Sequence, residues 1–258
     1  MPGYSSRGAG VSPLLMLSSS YKDNGVGSSA TMAFVGFRVV RKFESYKSGV
    51  PMKFQDLLQF IPIPAGTFMM GSEDGFEDEK PVHEVTLKGF EAMRCTVTQA
   101  QWEVLMGNNP SHFNEGADAD SRPVEKVSWD DCQEFVKKLN AMEDGYEYSL
   151  PTEEQQEYMI RAGSTTKYPF GNTAENIGAY AWYSDNSGGR THPVGLKLPN
   201  AFGLHDTLGN VWEWSLSEYE SYADKLKRRE EGPRTATMPD GSTFVLSEET
   251  FAAMQKGV

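Results

Sequence analysis

Apolar and polar positions alternate in short runs along this chain and rarely hold a helical period for long. Ala33 to Val40 reads as a strand, as do His83 to Phe90 and Val211 to Trp214. Phe60 to Met70 also has strand character, but Pro62 and Pro64 break it into an edge or bulged form. Three segments carry helical spacing. Thr98 to Met106 places Ala100, Val104 and Leu105 on the predicted inner face, with Trp102 on a flank, Thr98 as cap and Asn108-Asn109-Pro110 as the stop. Ser128 to Met142 gives the clearest stripe, through Phe135, Val136 and Leu139, and Asp131 follows Ser128 at capping-box spacing. Glu153 to Ala162 is entered through Leu150-Pro151-Thr152 and ended by Gly163. Residues 163–210 read as loop with interleaved aromatics such as Tyr168, Trp182 and Tyr183, and a loop this long needs support, often a bound ion. Thr235 to Leu246 suits a hairpin around Pro239-Asp240-Gly241, and Ser247 begins a short helix ending near Met254.

Composition narrows the picture. The 258 residues suit one large domain, 14 Phe, 11 Tyr and 5 Trp supply a core, and 25 Gly with 14 Pro favour turns over long helices. A net charge of −12 repels phosphate backbones, so no nucleic-acid partner is expected. No secretory signal or membrane-length apolar run is visible, which predicts a cytoplasmic protein with no membrane partner, a virion or surface location being the alternative. The two cysteines, Cys95 and Cys132, have neither CxxC nor Cys/His spacing and read as packed thiols. His83, His112, His192 and His205 have no partner at ligand spacing and read as structural.

Four stretches change the reading when taken in order. They are Ile63-Pro64-Ala65-Gly66-Thr67-Phe68-Met69-Met70-Gly71-Ser72, Pro123 to Asp131, Leu150-Pro151-Thr152-Glu153-Glu154, and Asn200 to Trp214 with its Gly-Asn-Val-Trp-Glu-Trp ending. The ordered set resembles the formylglycine-generating enzyme (sulfatase-modifying factor) family over roughly residues 60–216. The resemblance implies an α+β, C-type-lectin-type fold with little regular secondary structure. In that family an Arg-Gly-Gly-Ser-Trp segment and a closing Gly-Phe-Arg-Val-Val strand follow the Trp-Glu-Trp strand. Here Gly36 to Val40 matches the closing strand and Arg7 to Val11 is a degraded form of the former, both at the front. This order implies a circular permutation, with residues 1–40 as the displaced C-terminal segment, 41–59 as a bridge that a short helix could form, 60–216 as the main body and 217–258 as an extra tail.

The same resemblance bears on chemistry. Family enzymes oxidise a substrate cysteine with copper held by two cysteines after the Arg-Gly-Gly-Ser element. Val11 to Tyr21 occupies that place and has none, so the implied protein is a pseudoenzyme. The family's calcium ligands map onto Asp206, Gly209, Val211 and Glu213, an oxygen set suited to a hard cation, and a second site maps onto Asn176, Ile177 and Asp185. Some relatives are variable ligand-binding proteins of diversity-generating retroelements, whose variable positions correspond to residues 12–35 here. Ser18, Ser19, Ser20, Tyr21, Lys22, Asp23 and Asn24 in that interval are residue types that adaptable binding loops use. The expectation is therefore a non-catalytic module for a protein or glycan ligand, with calcium as a structural ion. The alternatives are a copper-dependent oxidase with other ligands and a structural subunit whose tail docks a partner.

Overall fold

A computed structural model describes residues 34–43, 58–231, 235–237 and 243–245. Its centre is a four-stranded antiparallel sheet in the order β3-β6-β2-β7, built from β3 (Phe60–Ile63), β6 (Phe90–Met93), β2 (Val40–Phe43) and β7 (Tyr146–Ser149). A parallel pair joins β1 (Val35–Phe37) to β8 (Trp212–Trp214), and β4 (Gly66–Met70) and β5 (His83–Leu87) form a hairpin. The strand expected over Ala33 to Val40 is thus two strands. The chain crosses from one sheet to the other at Arg38 and Val39, both buried. Pro62 falls on β3, an edge strand of the sheet, where a missing N–H costs no ladder bond. Residues 35–43 therefore supply one whole strand of the small pair and an inner strand of the large sheet.

Two helices close the other side of the main core. α1 (Gln99–Met106) is capped by Thr98, whose hydroxyl accepts from the Gln101 N–H, and ends at Gly107 with φ 79°. The glycine stops the helix one residue before the Asn-Asn-Pro signal. Trp102, expected on a flank, is the buried apolar residue of this helix, beside buried Gln99, and Val104, expected inside, is 64% exposed. Three rings explain the inversion. Phe37 meets Trp102 and Phe135 edge-on at 5.8 and 5.2 Å, and Trp102 stacks on Phe135 at 5.5 Å. Burying one indole outweighs burying a valine, because far more apolar area leaves water. α2 (Trp129–Asn140) buries Phe135, Val136 and Leu139 as its spacing predicts, with a capping box between Ser128 and Asp131. α3 (Glu153–Arg161) is boxed by Thr152 and Gln155 and turned off by Ala162 and Gly163 in left-handed conformations.

The long loop holds one short helix, α4 (Ile177–Tyr180), and a small cluster of Ile160, Tyr168, Ile177, Ala181 and Leu208. Past Trp214, α5 (Tyr222–Glu231) is a helix where only mixed charge was visible, and β7 is a strand with no sequence signal. The expected hairpin forms as β9 (Thr235–Thr237) and β10 (Thr243–Val245), antiparallel. The expected bridge helix lies mostly, and the helix after Ser247 wholly, outside the described residues. No described helix is long and apolar enough to cross a membrane.

Candidate functional site

The Trp-Glu-Trp strand is pinned from two directions. Trp214 donates its indole N–H to the Val127 carbonyl at 3.0 Å, and Trp129 donates to the Ser215 carbonyl at 2.9 Å. These reciprocal bonds explain why the motifs at 123–131 and 200–214 occur together in one sequence. Between the two tryptophans of the strand, Glu213 points inward and is buried beside Arg38. Arg38 donates Nε to Glu213 Oε2 at 3.3 Å and Nη2 to Oε1 at 3.2 Å. Its remaining donors go to the carbonyls of Met93, Arg94 and His205 at 2.8, 2.9 and 2.8 Å. All five guanidinium protons are thereby used, the condition under which a buried cation is tolerable.

Asp206 is buried next to this pair. Its Oδ2 accepts from the Gly195 N–H at 2.7 Å, and its buried Oδ1 has no partner among the described residues. Burial pushes the Asp206 carboxyl above its ordinary range, against the Gly195 bond and the Arg38 charge. Burial raises Glu213 as well, opposed by Arg38. Gly209 has φ 79°, and a Cβ there would collide with the Trp182 carbonyl oxygen. The Gly209 carbonyl accepts from the Val211 N–H at 2.9 Å, and Asn210 clamps His192 with its Oδ1 and Nδ2, both at 3.0 Å. Of the calcium residues read from the sequence, Asp206, Gly209, Val211 and Glu213 thus lie in one short stretch, with Glu213 already paired to a cation. Among the described residues no group of three or more His, Cys, Asp and Glu side chains could hold a metal on its own. In the second set, Asn176 and Asp185 are exposed, and the Ile177 carbonyl accepts from Ala181 N–H at 2.8 Å. That loop is closed by Asn186, which donates to the Ala181 carbonyl at 2.9 Å and accepts from Tyr183 N–H at 2.7 Å. The histidines are held by structure: His205 donates Nδ1–H to the Lys197 carbonyl at 2.8 Å and takes a bond from Arg94 at Nε2, 3.0 Å.

On the outer side of this strand lies a cleft of about 200 Å³, lined by Phe34, Trp182, Tyr183, Arg190, Asn210 and Trp212 among others. Trp182 is stacked on His192 at 3.8 Å, and Lys197 Nζ lies 3.8 Å from the indole centroid. Its Nε1 is buried with no acceptor among the described residues. Phe34, at φ 63°, stacks on Phe113 at 5.3 Å and opens residues 35–43 at the rim of the cleft. Residues 18–24, the expected ligand contacts, lie outside the described residues. The aromatics of the cleft were missed as site residues because Trp and Tyr in a sequence read first as core.

Neither cysteine reaches this cleft. Cys132 is fully buried in the main core, and burial holds its thiol well above the ordinary value. Cys95 lines a separate cavity with Arg94 and Gly195, and burial pushes its thiol up to about 11.

The sequence profile of the Sulfatase-modifying factor enzyme 1-like domain matches residues 47–255, and the chain belongs to that family. The formylglycine-generating enzyme of Mycobacterium tuberculosis is 25% identical over 268 residues, covering 78% of this chain and 86% of the relative. The inactive C-alpha-formylglycine-generating enzyme 2 of Bos taurus is 26% identical over 245 residues, covering 72% and 79%. Among solved structures, Treponema denticola variable protein 1 superposes with a TM-score of 0.56 at 30% identity, covering 63% of this chain and 75% of that one. The fold is therefore the α+β scaffold expected of that family.

Proposed function

We propose that this chain is a non-catalytic binding module, that its ligand enters the Trp182–Trp212 cleft, and that residues 18–24 are further ligand contacts. The observation that carries this reading is the placement of the thiols. The chain has two cysteines, both are described, and neither lines the cleft. A copper-binding thiolate pair needs two sulfurs together. Cys95 lines a separate cavity and Cys132 is packed in the main core. A cleft rimmed by Phe34, Tyr183 and Trp212 suits a ligand that presents a flat or apolar face. Relatives named as an inactive enzyme and as a variable protein support such a use of the scaffold.

On this reading the partner is a protein or glycan and not nucleic acid, given the net charge of −12. The position of residues 35–43 at the centre of the fold supports a circular permutation in which residues 1–40 replace the family's C-terminal end. Calcium is proposed as a structural ion. Arg38 cancels one of the two carboxylates, which leaves one net negative charge and the orphaned Oδ1 of Asp206 for a hard cation, with the carbonyls of Gly209 and Val211 nearby in sequence.

The test compares ligand capture, in calcium, by the intact chain, by Trp182→Ala and by a variant with residues 18–24 all alanine. Capture lost in both variants supports the reading, and capture equal in all three overturns it. Incubation with copper, oxygen and a cysteine-containing peptide must yield no aldehyde; aldehyde formation would restore the oxidase reading. For the ion, calcium should raise the melting temperature of the intact chain and leave that of Asp206→Asn unmoved.

A further inference from the structure

A second concave surface lies away from the aromatic cleft, between the β4–β5 hairpin and the chain that leaves α3. Its volume is about 770 Å³, within the ordinary range of small-molecule sites. The floor is aromatic: Phe68 and Tyr158 meet at 5.2 Å, and Tyr158 meets Phe202 at 5.3 Å behind them. The wall is a run of short hydroxyl side chains, Ser164, Thr165 and Thr166, with Thr67 and Ser72 opposite.

The charged groups of the wall are unevenly used. Arg161 donates Nε to Glu157 Oε1 and Nη2 to the Gly71 carbonyl, both at 2.8 Å, which fixes its guanidinium and leaves Nη1 without a protein acceptor among the described residues. Lys167 is exposed and forms no ion pair there, its nearest ring being Tyr168 at 5.8 Å. Glu157 thus neutralises Arg161 within the wall, and the donors left for an anion are Arg161 Nη1 and the Lys167 ammonium, opposite the Asp74 carboxylate. The end of α3 does not oppose an anion as a bare helix end would. Three of its last four carbonyls are taken: Tyr158 by Ala162 N–H at 2.9 Å, Met159 by Asn200 Nδ2 at 2.7 Å and Arg161 by Ser164 N–H at 2.9 Å. Ser164 and Thr166 hydroxyls bond each other at 2.5 Å, while those of Ser72 and Thr165 and the Nδ2 of Asn172 make no bond within the described residues.

We propose that this cleft binds a hexuronate residue, a sugar ring bearing a carboxylate. The carboxylate lies between the preset guanidinium of Arg161 and the Lys167 ammonium, where charge-assisted bonds are strongest. The ring hydroxyls meet Ser72, Thr165, Asn172 and the Asp74 acceptor, and the apolar ring face lies over Phe68. Neither half of the arrangement suffices alone. A bare anion leaves the hydroxyl wall unused, and a neutral sugar leaves Arg161 Nη1 and Lys167 unpaired. The assignment is independent of the aromatic cleft and stands or falls without it.

The test is an amide chemical-shift titration of the ¹⁵N-labelled full chain with glucuronate, and with glucose and acetate as the two halves of the ligand. Glucuronate should shift Gly71, Gly163, Thr165, Thr166 and Asn172 saturably, and each half should bind at least about tenfold more weakly. Because Arg161 also braces Gly71, the deciding variant is Lys167→Glu, whose exposed side chain carries no structural bond; it should weaken glucuronate about tenfold. A galacturonate trimer separates the two sources of such a residue: tighter binding than the monomer indicates a polysaccharide, equal binding a free sugar acid. Absence of shifts at these amides, equal shifts with glucose or acetate, or an unchanged affinity in Lys167→Glu would overturn the proposal.

Discussion

Arg38 and Glu213 set the terms at the scale of single residues. Each is a charge in a place where charges are costly, and each is acceptable because the other is there. Arg38→Met leaves Glu213 buried without its cation and should cost about 3–5 kcal/mol of unfolding free energy, read by urea denaturation. Glu213→Gln together with Arg38→Met should be less destabilising than the sum of the single changes, because each removes what the other needs; additive losses would contradict the pairing. Gly209 is a second fixed point. Alanine there meets the Trp182 carbonyl and demands a left-handed backbone, so Gly209→Ala should lower stability by about 2–4 kcal/mol in the same assay. The motif letters at these positions could be read from the sequence. The reason for each letter could not, since Trp182 and Gly209 lie far apart along the chain.

Among the elements, α5 is the one whose role the sequence concealed. Its first residue, Tyr222, is buried against the hairpin, touching His83 ring to ring at 5.0 Å and bonding Glu157 at 3.2 Å. Lys225 reaches Glu154 at 2.6 Å, and Arg229 reaches it at 3.0 Å. Burial opposes ionisation of Glu154, but the Lys225 charge and hydrogen bond outweigh it, so the carboxyl sits below its ordinary value of 4.5. A depressed folded value means that this contribution is complete above about 4.5 and is lost as pH falls through the lower folded value. The hydrogen-exchange protection factor of α5 should therefore fall from pH 5 to pH 3, relative to that of α2. Lys225→Ala should lower it already at pH 7, by about 1–3 kcal/mol of local stability. Equal protection of α5 in the variant and the parent at pH 7 would show that the helix is held by other contacts. The helix escaped sequence reading because Tyr222 and Leu226, its large apolar positions, stand among seven charged residues and give too short a stripe to read.

For the molecule as a whole, the inner strand β2 decides what can be removed. Its neighbours β6 and β7 lie far downstream, so the sheet closes only when residues 40–43 sit between two later strands. Val35 and Phe37 of β1 likewise fill the main core beside Trp102 and Phe135. A chain lacking residues 1–43 should lose cooperative thermal unfolding rather than merely melt lower. A sharp transition in that truncated chain would mean that the front of the chain is dispensable to the core and would remove the support for a permutation.

The helices α1, α2 and α3 were legible from caps and spacing alone, because a capping box is local chemistry that the backbone obeys before any tertiary contact exists. The family was legible from ordered motifs, and so was the stretch from Asp206 to Glu213. Tertiary structure decided which face of α1 is buried, because three rings from 37, 102 and 135 had to meet. It decided that Glu213 answers to Arg38, and that Trp182, Trp212 and Phe34 share a cleft while both cysteines stand apart from it. The division follows from range. Caps, turns and periodicity act within a few residues and are written in order. Partners of a buried charge and the walls of a cleft come from segments more than a hundred residues apart, and only the folded chain brings them together.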